Sequence, residues 1–241
     1  MIGRTLGGMV IAAGLILTSG CGGPEKDGGN VQDLQPEEKS IGEGGAARSA
    51  VLDATLSSSL REWARAHNHP AALALAGEIL KSVNETPMKG VKMTTQGGEP
   101  IDATPKTAQY CDPASLLDEA RKAAEGNAAA LAAIDSIGKQ GVRSMGATQG
   151  PKFGVGSLRG RTKDKYEIGF NAGEMAEVSV IGDGDSDLDM YVYDSDGNLI
   201  GKCVDGSDRC YLTWRPTRPM IYRIEVHNLG KVFNKYEVRT N

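Results

Sequence analysis

Asp183, Asp185 and Asp187 stand in the run Gly182-Asp-Gly-Asp-Ser-Asp-Leu188, and Asp194 follows the short segment Leu188–Tyr193. Alternating carboxylates supply the hard oxygen ligands that Ca²⁺ takes. The spacing is not that of an EF-hand, which needs Gly where Leu188 stands and Glu where Asp194 stands. A solvated turn uses the same residues, with aspartates accepting hydrogen bonds from nearby backbone amides. Asp183, Asp185, Asp187 and Asp194 are therefore a candidate calcium set with a purely structural alternative. No other cofactor is indicated.

The remaining chemistry-bearing residues are sparse. His67 and His69 form a His-x-His pair, readable as a metal pair or as polar groups at a helix boundary. Cys203 and Cys210 flank Val-Asp-Gly-Ser-Asp-Arg, a turn-like stretch between two strand-like runs. That placement predicts a disulfide across a hairpin in an oxidising compartment. A zinc pair competes, but no second Cys or His pair lies at a suitable spacing. Cys111 is left as a free thiol beside a helix start. The chain has three His and no Gly-x-Ser-x-Gly elbow, P-loop, dinucleotide-binding glycine pattern or His-Glu-x-x-His. These absences predict a chain that is not an enzyme. Tyr191, Tyr193 and Trp214 are candidate partner contacts, because aromatic side chains enrich at interfaces; packing inside a second sheet is the alternative.

The elements that carry these residues are legible from periodicity. Leu188, Met190 and Val192 alternate with Asp189, Tyr191 and Tyr193, the period of a half-buried strand. Asp194-Ser-Asp-Gly-Asn198 supplies hairpin-turn chemistry. Similar short runs follow from Phe153 to Arg239, spaced as in an all-β sandwich, with Arg223 and Glu225 on the wet face. Upstream, Val51, Leu52, Leu56, Leu60 and Trp63 recur at helical steps, and Pro70 opens a second helix. Asp112 caps a third before Pro113, and Ala128 begins a fourth. The fold class is α+β in separate domains, with α-helical hairpins first and an all-β sandwich after. The helical domain spans 46–137, with an irregular loop at 84–109; 138–150 is the linker and 151–241 the sandwich. At 241 residues with a net charge of −4, the chain has room for two small domains and no general nucleic-acid footprint.

The N-terminus has Arg4, an apolar run Met9–Leu17 and then Thr18-Ser-Gly-Cys21. It resembles a bacterial lipoprotein signal with its lipobox, covering 1–20. The resemblance implies cleavage before Cys21, lipidation of that thiol and a membrane partner. Gly22 in place of Asp implies the outer membrane where there is one. Residues 21–45 are polar and Gly-rich and read as a flexible tether.

Two family resemblances concern the folded part. Leu60–Ala76 aligns without gaps on Leu116–Ala132, with Ala64-Arg65 on Ala120-Arg121 and Ala74-Leu75-Ala76 on Ala130-Leu131-Ala132. This resembles degenerate helical hairpins of the tetratricopeptide or Sel1 kind. Downstream come the acidic Gly-Asp-x-Asp loop, Asp187-Leu-Asp-Met-Tyr-Val-Tyr-Asp194, a Gly-Asn turn, Trp214 with Pro216, Tyr222-Arg-Ile-Glu-Val-His-Asn228 and a closing Tyr-x-Val strand. In that order they resemble the bacterial pre-peptidase C-terminal domain. The resemblance implies a jelly-roll-like sandwich with an accessory role in secretion, adhesion or inhibition, and calcium in some relatives. Such domains usually follow a peptidase; here a helical unit takes that place. The expected function is a cell-envelope lipoprotein acting as a non-catalytic binding or adhesion module for a protein, peptide or glycan. A structural envelope component, or an accessory partner of a secreted enzyme, is the alternative.

Overall fold

A computed structural model describes residues 49–98, 110–140 and 151–241. Cys21, the signal segment and the tether lie outside the described residues. Ser49 accepts a hydrogen bond from the Leu52 amide and caps α1 (Ala50–Ala66). The His69 ring accepts from the Ala72 amide at the start of α2 (Pro70–Val83), with Pro70 in the first turn. Asp112 caps α3 (Pro113–Ala123) through the Ala114 and Ser115 amides, and Asn127 caps α4 (Ala128–Gln140) through the Ala130 amide. α4 runs three residues into the span read as linker. α2 is the central helix and packs on the other three. Their shared core is Leu73, Leu80, Val83, Leu116 and Ile134 among buried alanines. Small residues allow the close approach: a Cβ at Gly77 would stand 3.2 Å from the Leu116 Cβ and the Pro113 carbonyl.

α1 does not bury the stripe that its apolar spacing predicts. Leu52, Leu56 and Trp63 are 42%, 42% and 47% exposed, while Val51, Ala54, Ser57, Ser58, Arg61 and Ala64 are buried. That face serves two neighbours: Ala54 and Ala64 join the helical core and Ser57 donates to the Ala76 carbonyl of α2, while Ser58 and Arg61 meet the charged outward side of a β-sheet.

The segment 84–109, expected to be irregular, contributes two strands: β1 (Thr86–Pro87) and β2 (Lys92–Gln96). Eight more follow: β3 (Lys152–Leu158), β4 (Lys163–Phe170), β5 (Ala176–Gly182), β6 (Leu188–Tyr193), β7 (Leu199–Cys203), β8 (Arg209–Trp214), β9 (Met220–Asn228) and β10 (Asn234–Thr240). They form two five-stranded sheets, β1-β3-β10-β5-β8 and β2-β4-β9-β6-β7. The fold is the expected α+β class, helices followed by a sandwich. β1 and β2 had no strand signal of their own, since both are exposed and short. Each is held by pairing, β1 parallel to β3 and β2 antiparallel to β4.

The alternating inner residues close one core: Tyr166, Ile168 and Phe170 of β4, Val178 and Val180 of β5, Leu188, Met190 and Val192 of β6, Tyr222, Ile224 and Val226 of β9. A buried polar chain crosses it. Tyr236 donates to Asp164 at 2.6 Å and meets the Tyr166 hydroxyl at 2.5 Å; Thr95 of β2 donates to the other Asp164 oxygen at 2.5 Å. Gly156 makes room for Tyr236, whose ring carbons lie where a Cβ would be.

Cys203 and Cys210 are joined, with Cα atoms 5.7 Å apart, and Cys111 is free. The bridge is not a link across a paired hairpin as the spacing predicted. β7 edges the second sheet and β8 edges the first, so it staples the two layers together. Its reduction should lower the unfolding free energy by about 2–3 kcal/mol, read as the urea midpoint of native against reduced, alkylated protein. An unchanged midpoint would show that the sheet edges hold without it.

Candidate functional site

The acidic loop does not assemble the predicted set. Asp183, Asp185 and Asp187 lie between β5 and β6, whereas Asp194 lies beyond the far end of β6. A six-residue strand spans roughly 20 Å, too far for one ion. Asp194 serves its own turn instead. Its carboxylate accepts from the Asp196 and Asn198 amides at 2.9 and 2.8 Å and from Asn198 Nδ2 at 2.9 Å, and the Asn198 bond leads in lowering its pKa. Burial first, and then the charges of Asp189, Asp205 and Asp208, push Asp187 up. Asp208 accepts from the Gly184 amide at 2.5 Å, and Asp189 accepts from the Tyr191 hydroxyl at 2.9 Å. Asp208 thus fastens the loop at Gly184, and Asp194 fastens the turn after β6. Among the described residues, no group of three or more His, Cys, Asp or Glu side chains is placed to hold a metal ion.

His67 and His69 both turn to Trp63, with ring centroids 4.6 and 5.5 Å away, and His67 Nδ1 lies 2.8 Å from the Trp63 carbonyl. They order a helix turn. Trp214 is not a contact residue. It is 8% exposed and packs edge-on to Phe170 at 4.9 Å and tilted against Tyr222 at 5.2 Å. Its position in β8 points it inward, with Leu212 and Cys210.

The first sheet gives its outer face to the helices. α1 lies against β5 and β10. Ser58 Oγ and Arg61 Nη1 reach Glu237 at 2.7 and 2.9 Å, and Thr55 donates to Ser179 at 2.9 Å. Arg209 of β8 reaches Ser59 at 2.8 Å and Glu62 at 2.5 Å. Beside this contact a cleft of about 570 Å³ opens between α1, the start of α3 and the ends of β5 and β10. Arg65, Cys111 and Glu119 line it, with Arg65 clamped on Glu119 at 2.6 and 2.8 Å and 3.5 Å from the Cys111 sulfur. Positive and negative groups in its wall are largely spent on each other.

The second sheet presents Tyr191 and Tyr193 outward, both partly exposed. The register sets them in cross-strand rows. Lys92, Glu167, Arg223 and Tyr193 make one row; Thr94, Lys165, Glu225, Tyr191 and Lys202 the next; Gln96, Lys163, His227 and Asp189 the third. The Arg223 guanidinium lies 4.6 Å from the Tyr193 ring centroid, a cation–π contact, and the Tyr191 and His227 rings are 4.7 Å apart. Glu225, 3% exposed, is the hub: Lys163 Nζ lies at 2.8 Å, His227 Nε2 at 2.9 Å, Arg223 Nε at 3.1 Å and Lys165 Nζ at 3.4 Å. Burial alone would raise this carboxyl; its bonds to Lys163 and His227 and the Lys165 charge outweigh that and hold it at about 2.

Periodicity placed Arg223 and Glu225 on the wet face, but nothing local told which strands would flank them. Lys163 and Lys165 are some sixty residues away in sequence, and only the β4–β9 register brings them to Glu225.

No protein-family model matches the chain, and no curated protein does. Among solved structures, the pre-peptidase C-terminal domain of a collagenase from Bacillus anthracis is similar over 37% of this chain and 88% of its own, at 14% identity and a TM-score of 0.31. The Yersinia pseudotuberculosis-derived mitogen covers 38% of this chain and 84% of its own, at 11% identity and a TM-score of 0.29. PliG of Aeromonas hydrophila, a periplasmic inhibitor of g-type lysozyme, covers 38% and 86%, at 18% identity and a TM-score of 0.29.

Proposed function

We propose that the chain is a non-catalytic binding module of the bacterial cell envelope, anchored by lipid on Cys21, which takes its partner on the outer face of the second sheet. One observation carries the reading. α1 occupies the outer side of the first sheet, while the second sheet presents Tyr191 and Tyr193, framed by Arg223, His227 and Lys165, partly exposed. Tyrosines held by cation–π and ring contacts lose little rotamer freedom on binding, so their contact area is not offset by ordering entropy. The anchor rests on the lipobox-like run ending at Cys21 and the export context on the disulfide.

Fractionation and envelope binding test the two parts together. Wild type should stay with membranes, and Cys21→Ser should be released as soluble protein. That soluble chain should pellet with isolated cell envelopes, and adding Tyr191→Ser and Tyr193→Ser should leave most of it in the supernatant. Equal pelleting with and without the tyrosines would overturn the choice of face.

A further inference from the structure

We infer that the outer face of the second sheet binds an acidic glycan, a polysaccharide carrying carboxylate, phosphate or sulfate groups. This rests on the reading of that face as the binding surface and adds the class of ligand. The face is positively charged in a chain that is not. Lys92, Lys163, Lys165, Lys202 and Arg223 stand among three carboxylates, Glu167, Asp189 and Glu225. The whole chain carries a net charge of −4.

The arrangement of the cations matters more than their number. Lys163, Lys165 and Arg223 converge on one buried carboxylate within 3.4 Å. Glu225 can neutralise only one of them. Their side chains remain 32%, 22% and 40% exposed, while that of Glu225 is only 4% exposed. The carboxylate therefore lies beneath its cations, which it holds close together and partly open to solvent above. Positive charges already held near one another recruit an anion with little further ordering. Glu167, opposite Arg223 in its row, is paired with Lys92 at 2.9 Å, and Asp189 accepts from the Tyr191 hydroxyl, so both acids already have partners beside the Lys163–Lys165–Arg223 group.

The tyrosines select among anions. Tyr191 and Tyr193 sit two residues apart on one strand, roughly 7 Å, and present two rings on one face. Their rings border the cationic group on the β6 side. Sugar rings offer C–H faces to aromatic rings while their acidic substituents reach the lysines. An acidic peptide offers charge without that face.

The test uses the purified full chain carrying Cys21→Ser and four probes: polygalacturonate, dextran sulfate, neutral dextran and polyglutamate. Binding to the two acidic glycans is expected, falling as salt rises, with none to neutral dextran and weaker binding to polyglutamate. The polygalacturonate and dextran sulfate arms separate carboxylate from sulfate recognition. Lys163→Gln with Lys165→Gln should weaken glycan binding roughly tenfold. Because that change also strips partners from buried Glu225, Lys202→Glu on the exposed rim is the second variant, expected to weaken binding without lowering the melting temperature. Tyr191→Ser with Tyr193→Ser should remove the preference for glycan over polyglutamate. Equal binding of polyglutamate and glycans by wild type, binding of neutral dextran, or indifference to both lysine changes would overturn the inference. Should envelope binding need the tyrosines while acidic glycans do not bind, the face stands and the ligand class falls. Should envelope binding ignore the tyrosines, the face itself falls.

Discussion

Arg239→Met should destabilise the protein by about 3–5 kcal/mol, the cost of breaking a buried ion pair from one side. Arg239 is 1% exposed and lies at the join between helices and sandwich. Its Nε donates to Glu85 at 2.8 Å, and its Nη1 lies 2.9 Å from Glu237. Glu237 in turn accepts from Arg61 of α1 and from Ser58. Two arginines and two glutamates thus alternate as Arg61–Glu237–Arg239–Glu85, and this network is neutral as a whole. Taking out Arg239 leaves Glu85 without its cation and Glu237 with one of two, both out of water. The double change Glu85→Gln with Arg239→Met should cost less than Arg239→Met alone, since no unpaired charge is left at Glu85. Urea unfolding of the single and double variants decides it. A single variant within about 1 kcal/mol of wild type, the spread of ordinary surface substitutions and mild core changes, would show that the network does not hold the helices in place.

The second large effect is on pH. Burial by itself would raise the Glu237 carboxyl, but the Arg239 and Arg61 charges and the bonds from Ser58 and Arg61 outweigh it and bring it from an ordinary 4.5 down to about 2. A carboxyl depressed in the folded state stabilises it above the unfolded pKa, and that stability is lost as pH falls through the folded one. The contribution is about 3 kcal/mol, present at neutral pH and lost between pH about 5 and about 2. Glu225, also held at about 2, acts in the same direction over the same window. Glu62 and Glu177 are raised, in each case chiefly by burial. They act in the opposite sense, giving up stability as pH rises above about 4.5, so part of the gain is offset there. The melting temperature should therefore drop steeply on acidification below pH 5. Glu237→Gln should start lower and fall less steeply. Matching profiles for wild type and variant between pH 5 and pH 2.5 would remove Glu237 as the cause.

Much of this architecture was readable because it depends on neighbours in sequence. Helix caps act within three residues, so Asp112 and Pro113 marked the start of α3. Strand alternation acts within two, so Leu188–Tyr193 showed which side chains turn inward. The apolar stripe of α1 misled, because periodicity reports that a helix has an apolar side and not which side its neighbour will be. Here one neighbour is the charged outer face of β5 and β10, and the helix buries Ser58 and Arg61 against it while Leu52, Leu56 and Trp63 face out.

The sequence by itself determined the class of the fold, the starts of α2, α3 and α4 and the inward residues of β6, each a matter of short-range sterics and hydrophobic period. Tertiary structure alone decided what those elements carry into contact. It separated Asp194 from the other loop aspartates by the length of β6, and turned Trp214 into core. It made Cys203–Cys210 a bridge between sheets, and paired the exposed β1 and β2 with sheet edges. It also gathered Lys163, Lys165, Arg223 and His227 on Glu225. The physical reason is that strand register couples residues far apart in the chain, through backbone hydrogen bonds nearly independent of side-chain identity, so no local pattern in either strand records its partner.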